Sequence, residues 1–246
     1  MNKIALITGA AGGLGQSLAK QLATEGWQLI VVSRDAERLR AAYDGDHLQV
    51  AADCSTPAGA RSILETAAAH GLVPQALAHC VGNIRLGALH RLTEKEFQEA
   101  IDANLVSAFH TLAAFIGNLR QDNLPGSAVL VSSVAAQMGT PNHEAVAAAK
   151  AGVEGLARGA AATYAAYGIR VNVVAPGIMD SPATRGILAT EAARAAAARQ
   201  YALPGIGNTD ELADLMSWLL SERSGRVTAQ VWSVDGGFTG VRPIVK

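Results

Sequence analysis

Aromatic side chains make up only 4% of this 246-residue chain, so its core has to be packed with aliphatic groups and alanine. Only four tyrosines are present, at Tyr43, Tyr164, Tyr167 and Tyr201. Two cysteines, Cys54 and Cys80, exclude a disulfide framework and a spaced set of metal ligands; no metal is expected, and a reducing, cytoplasmic setting is. An excess of one charge is also missing. Twenty basic against 21 acidic residues exclude a polycation built to wrap nucleic acid. No stretch of about 18 apolar residues is free of charge, so no membrane span is expected. The apolar run Ile4 to Gly15 is interrupted by Thr8 and glycines and leads into an amphipathic helix, which reads as folded protein rather than a secretion signal.

What the chain does contain is aliphatic. Half the residues are hydrophobic, and 49 are alanine. Short apolar runs at Ile4–Ile7, Leu29–Val32, Leu48–Ala51, Ala76–Val81, Ala128–Val131, Val171–Val174 and Val231–Ser233 read as strands covered on both faces. Helical patterns lie between them, near 15–25, 35–42, 57–70, 93–120, 144–167 and 209–221. This alternation predicts an α/β fold, a three-layer, doubly wound parallel sheet of the Rossmann-like kind with about seven strands. No linker, repeat or charge block divides residues 1–246, so one domain is expected. An insertion near 180–208 carries an alanine-rich helix around Glu191 to Ala198, either a substrate lid or a helix packed permanently on the rim.

The first strand ends in Thr8-Gly9-Ala10-Ala11-Gly12-Gly13-Leu14-Gly15. Glycines straight after a strand and straight before a helix let backbone N–H groups approach a pyrophosphate, helped by the helix dipole. The second strand ends in Ser33-Arg34, where an acidic residue would bond the ribose 2′-hydroxyl of NAD. A hydroxyl and a guanidinium suit a 2′-phosphate instead, so NADP(H) is favoured over NAD(H). Asp35, next in the chain, is placed to cap the following helix.

These motifs and the ones downstream resemble those of the short-chain dehydrogenase/reductase family, end to end. Thr8 to Gly15 matches its TGxxxGxG loop, with Thr8, Gly9, Gly13, Leu14 and Gly15 as expected cofactor contacts. Asp53 lies where the family places an aspartate near the adenine. The resemblance implies that Asn104, Ser133 and Lys150 are three members of the catalytic tetrad, with Lys150 also holding the nicotinamide ribose. Pro176, Gly177 and Ser181 resemble the PGxxxT segment on the nicotinamide side, and Asp235-Gly236-Gly237 closes the chain as in relatives. The family's Asn-Asn-Ala-Gly segment is here His79-Cys80-Val81-Gly82, with His79 and Cys80 expected to be a buried, inert pair. Relatives commonly assemble as tetramers through the long helices, so a homo-oligomer, tetramer or dimer, is implied.

One departure is serious. The family's Tyr-x-x-x-Lys is here Val146-Ala147-Ala148-Ala149-Lys150, so the usual proton donor is absent. General acid catalysis supplies about 10²–10⁴-fold in rate, so ordinary ketone reduction should suffer while cofactor binding does not. His143, three residues before Val146, is a candidate replacement donor, expected in the first turn of a helix capped by Asn142; the alternative is a histidine that merely contacts substrate or solvent. Peroxisomal-type 2,4-dienoyl-CoA reductases resemble this pattern in keeping the lysine without the tyrosine. Two readings follow. The first is an oxidoreductase for a small or medium carbonyl or conjugated enone, with Met138, Ile178 and Met179 lining its pocket and a small-molecule substrate as partner. The second is a non-catalytic NADP(H)-binding sensor.

Overall fold

The computed structural model describes residues 3–45 and 47–242. Seven parallel strands form one sheet in the order β3-β2-β1-β4-β5-β6-β9. These are β1 (Ile4–Thr8), β2 (Gln28–Ser33), β3 (Leu48–Ala51), β4 (Ala76–His79), β5 (Gly126–Val131), β6 (Ile169–Pro176) and β9 (Val231–Val234). Two short strands, β7 (Met179–Asp180) and β8 (Gly207–Asn208), pair beside the insertion. The order reverses between β1 and β4, and the crevice at such a switch point is where this architecture takes ligands.

The aliphatic strands are buried because helices cover both faces. On one face α3 (Pro57–Ala69), α5 (Ser107–Gln121) and α6 (Glu144–Tyr164) pack Ile63, Leu112, Phe115, Val153 and Ala157 against Leu6, Ile30 and Val171. On the other, α1 (Gly13–Thr24), α2 (Ala36–Ala42) and α8 (Thr209–Leu220) pack Leu18, Leu22, Leu39 and Met216 against Ile7, Leu29 and Val174. Buried alanines on the helices, among them Ala19, Ala67, Ala108, Ala157 and Ala213, let these elements approach the sheet closely.

The long helix expected over 93–120 is three pieces: α4 (Glu94–Ile101), a π-helical turn (Asp102–Val106) and α5. Together Glu94–Gln121 is long and apolar enough to cross a membrane by composition, but its apolar stripe, Ala108, Leu112, Phe115 and Leu119, is spent on the sheet. The insertion contains α7 (Glu191–Ala198), capped by the Thr190 side chain.

Candidate active site

The carboxyl ends of β1, β2, β4, β5 and β6 bring the sequence-predicted residues to one edge of the sheet. At β1 the backbone of Gly9 turns with φ +69°, and a Cβ there would lie 2.7 Å from the Cys80 carbonyl. A Cβ on Gly15 would strike the Gly9 oxygen at 2.6 Å, so the loop can fold this tightly only with glycine at both positions. Gly12 is the N-cap of α1 and offers no side chain to its first N–H groups, and no acidic residue stands in the first turn. Those donors are left for an anion. Tyr43 braces the loop from behind, its hydroxyl donating to the Ala10 carbonyl at 2.8 Å. A dinucleotide pyrophosphate fits this cradle. Leu14, partly buried, packs on the core beneath it.

At the end of β2, Ser33 is half-buried and Arg34 exposed. Asp35 is committed elsewhere: one carboxylate oxygen accepts from Glu37 N and Arg38 N, both at 3.0 Å, as the N-cap of α2. Beyond β3, Asp53 is held in a turn by the Ser55 hydroxyl and amide at 2.7 and 2.9 Å, and these bonds with nearby Arg34 keep its carboxyl below the usual range.

His79 ends β4 fully buried. The Ser107 hydroxyl donates to Ala103 O at 2.8 Å, so the His79 Nε2–H donates to Ser107 Oγ (3.2 Å) and Nδ1 accepts from the Thr8 hydroxyl (2.9 Å). Burial, with Lys150 nearby, pushes the imidazole down to about 3, so it is neutral at working pH. The neighbouring Cys80 thiol is pushed up to about 12 by burial, offset in part by Lys150. The pair is inert as acid or nucleophile, but the histidine cross-links the phosphate loop to Ser107 at the start of α5, directly after the π-helical turn.

That turn presents Asn104. Its side-chain amide donates to Ala100 O (2.8 Å) and Asn83 Oδ1 (2.9 Å), and its carbonyl accepts from Asn83 N (3.2 Å). Lys150 reaches the same place from α6, its Nζ donating to Val131 O at 2.8 Å. A Cβ on Gly82 would meet Asn104 Oδ1 at 2.6 Å and Lys150 Nζ at 3.1 Å, so both side chains converge on that glycine. Burial lowers the Lys150 ammonium to about 8, against the opposing effect of the Cys80 thiol. Ser133 follows β5, half-buried, its Oγ accepting from Ala135 N at 3.2 Å.

Val146 is buried in the first turn of α6, at 4% exposure, an apolar group four residues before Lys150. His143 is not inside the helix as expected. Asn142 takes a left-handed conformation (φ +63°) and is not the cap; His143 is itself the N-cap residue, with Nδ1 bonded to Pro141 O at 2.8 Å. Its hydrogen-bonding partner is therefore the preceding loop, not Ser133 or Lys150. Met179 is also a correction: it is 7% exposed and belongs to the core rather than an open pocket wall, whereas Ile178 is half-buried and Met138 exposed.

Pro176 ends β6, and Tyr201 folds onto Gly177 directly after it. Ile178 N donates to the Tyr201 hydroxyl oxygen at 2.7 Å, and the ring lies against Phe238. Ser181 begins the insertion, and Pro182 packs over the phosphate loop, 2.9 Å from where a Gly13 Cβ would stand.

One part of the site was missed from sequence. Glu154, one turn after Lys150 and 5% exposed, accepts from Ser132 Oγ and Gln137 Nε2 at 3.0 Å and from Arg158 at 2.9 Å. Ser132 also donates to Lys150 O, and Ser233 donates to Gln137, so the network ties β5, α6 and β9 together behind Ser133. An acidic residue on the apolar stripe of α6 was the available signal.

A family model described as enoyl-(acyl carrier protein) reductase matches residues 9–239. The cis-4-hydroxycyclohexanecarboxylate dehydrogenase of Sinomonas cyclohexanicum is 33% identical, over 97% of both chains. The chain belongs to the short-chain dehydrogenase/reductase family. Two solved structures share the fold at 23% identity. A 4-hydroxyisoleucine dehydrogenase complexed with NADH matches with a TM-score of 0.91, over 98% of this chain and 100% of that one. A tyrosine-to-phenylalanine variant of ElxO with NADPH bound matches with a TM-score of 0.89, over 97% and 99%. The chain is thus an oxidoreductase of this family, whose members bind NAD(P)(H), with dehydrogenases and reductases among its relatives.

Proposed function

We propose that the protein is an NADP(H)-dependent oxidoreductase acting on a small or medium carbonyl or a conjugated enone, without a tyrosine proton donor. The observation that carries this reading is the convergence of Asn104 and Lys150 on Gly82, beside the phosphate cradle. Thr8, Gly9, Gly13, Leu14 and Gly15 would hold the pyrophosphate, Ser33 and Arg34 the 2′-phosphate, and Asp53 the adenine side. Pro176, Gly177 and Ser181 would clasp the nicotinamide side. NADP(H), when bound, supplies or accepts the hydride.

Lys150 holds the ribose through its ammonium, and Asn104 fixes the turn beside it. The Ser133 hydroxyl hydrogen-bonds the substrate oxygen. Val146 moves no proton. A conjugated enone suits such a site, because protonation at carbon can be left to water; the family model's enoyl reductase description is in keeping with this. The relative that acts on a hydroxycyclohexanecarboxylate supports a secondary alcohol or its ketone as the other class. For that chemistry the His143 imidazole, at the mouth of α6, is the proposed proton carrier.

The buried, apolar Val146 favours one further reading, an NADP(H)-binding sensor that does not turn over. We place the protein in the cytoplasm, with its cysteines reduced, and as a homo-oligomer, tetramer or dimer. Exposed Phe97 on α4 and Phe109 on α5 support that assembly.

The test is binding of NADPH and NADH, followed by turnover on ketones and enones for wild type, Val146→Tyr and His143→Ala. Wild-type turnover lost in His143→Ala establishes the histidine. Turnover unchanged in that variant removes it and leaves water as donor. Binding without turnover, with activity gained in Val146→Tyr, establishes the sensor. If neither dinucleotide binds, the assignment fails entirely.

A further inference from the structure

A cavity of about 490 Å³ lies in the insertion, lined by Asp180, Ser181, Pro182, Arg185, Leu188, Ala189 and Arg194. Its charge is unbalanced, with two guanidinium groups against one carboxylate. Arg194 is fixed by Asp180 at 2.7 Å. Both partners are about half exposed, so this ion pair contributes little stability and either group can exchange it for a better one. Arg185 makes no ion pair or hydrogen bond among the described residues. Its backbone is nevertheless placed: the preceding Thr184 is buried, and its hydroxyl is bonded to Met179 O and to the amide of Ser181. A cation held on an ordered turn, facing a cavity and lacking a partner, is what an anion subsite requires.

The remaining walls narrow the ligand. Leu188, Ala189 and Pro182 are apolar, so the cavity suits an organic acid with a hydrocarbon body better than an inorganic ion. Pro182 also packs on Gly13, which puts one wall of the cavity against the phosphate loop, and Ser181, proposed above to clasp the nicotinamide side, forms another. The pyrophosphate has its own donors there, the uncapped N–H groups of α1, and does not need these arginines.

We propose that this cavity is the substrate's anion subsite, in which Arg185, with Arg194 beside it, takes the carboxylate of an oxo- or hydroxy-acid. The inference rests on the oxidoreductase reading and adds the substrate class. Asp180 orients Arg194 and excludes a second anion. A neutral ketone of the same shape would gain the apolar walls but leave Arg185 without its partner.

Calorimetric titration of the protein–NADP⁺ complex with 4-oxo-4-phenylbutanoate and with its methyl ester tests this without requiring turnover. The acid is expected to bind at least about tenfold tighter than the ester, the size of one charge-assisted hydrogen bond. Arg185→Gln should abolish that preference, Arg185→Lys should keep part of it, and Arg194→Gln should reduce it, with NADPH affinity unchanged in all three. Equal binding of acid and ester by wild type, or a preference that survives Arg185→Gln, overturns the proposal. NADPH affinity falling in Arg185→Gln also overturns it, because the anion served would then be the cofactor's own. Selective binding of the acid by the NADP⁺ complex, with no reduction of it when NADPH is supplied instead, supports the subsite while refuting the reductive chemistry.

Discussion

The Lys150 ammonium donates to the Val131 carbonyl at 2.8 Å, joining the middle of the first half of α6 to the end of β5. Burial holds this group at about 8, against 10.5 for an ordinary lysine. Between those values the unfolded chain carries more protons than the folded one, so this group adds stability to the fold as pH rises through that window. Cofactor binding should run the opposite way, because the ammonium is the form that donates. The dissociation constant for NADPH is expected to rise as pH increases through about 8, and Lys150→Met to bind weakly with no such inflection. Fluorescence titration across that range decides it; a flat wild-type profile would remove Lys150 from cofactor binding.

Glu154 makes a second prediction, one of stability. Its carboxylate accepts from Ser132, Gln137 and Arg158 while nearly excluded from water. Truncation in Glu154→Ala leaves the buried Ser132 hydroxyl with the Lys150 carbonyl as its remaining acceptor and the exposed Gln137 amide to water, and should cost ~1–3 kcal/mol. Arg158→Ala should cost less than ~1 kcal/mol, since the Arg158 side chain is 55% exposed and its pairing is weakened by water. Urea unfolding of both variants measures the difference. Equal costs would mean that the Arg158 ion pair, rather than the bonds to Ser132 and Gln137, is what Glu154 contributes.

The strands were legible because a parallel sheet covered on both faces demands continuous aliphatic runs, and Ile4–Ile7 and Leu29–Val32 supply them. The phosphate loop was legible because close backbone approach leaves glycine as the only choice at Gly9 and Gly15. What escaped depends on contacts distant in sequence. The π-helical turn at Asp102–Val106 has no local signature; its Asn104 is stabilised by Asn83, 21 residues away. The start of α6 at 144 was legible but its cap was not, because Asn142, a good cap by type, is turned left-handed, with its carbonyl bonded to Gly87 N. Likewise, nothing near Pro182 in sequence announces that it packs on Gly13.

Gly82 separates geometry from chemistry in the site. A methyl there would meet Asn104 and Lys150 at 2.6 and 3.1 Å, so Gly82→Ala must displace one of them. The substitution should destabilise by ~1–3 kcal/mol and weaken NADPH binding together. Gly87→Ala in the same loop is the control, since its Cβ would only reach Leu92 at 3.4 Å. If Gly82→Ala bound NADPH as tightly as wild type, the convergence on this glycine would have no part in holding the cofactor.

The dinucleotide preference turns on two adjacent residues with opposite charges. Asp35 has the charge that would select NAD, yet its carboxylate accepts from two amides of α2, whereas Arg34 is exposed at the end of β2. Asp35→Ala should therefore behave as the loss of a cap, costing ~1 kcal/mol, and leave the ratio of NADPH to NADH affinity unchanged. Arg34→Ala should weaken NADPH by about tenfold or more, the scale of a charge-assisted bond to phosphate, and leave NADH where it was. Direct titration of both dinucleotides against both variants reads the two effects separately. A gain in NADPH affinity with a matching loss for NADH in Asp35→Ala would show that the aspartate reads the ribose, and the assignment to NADP(H) would then be reversed.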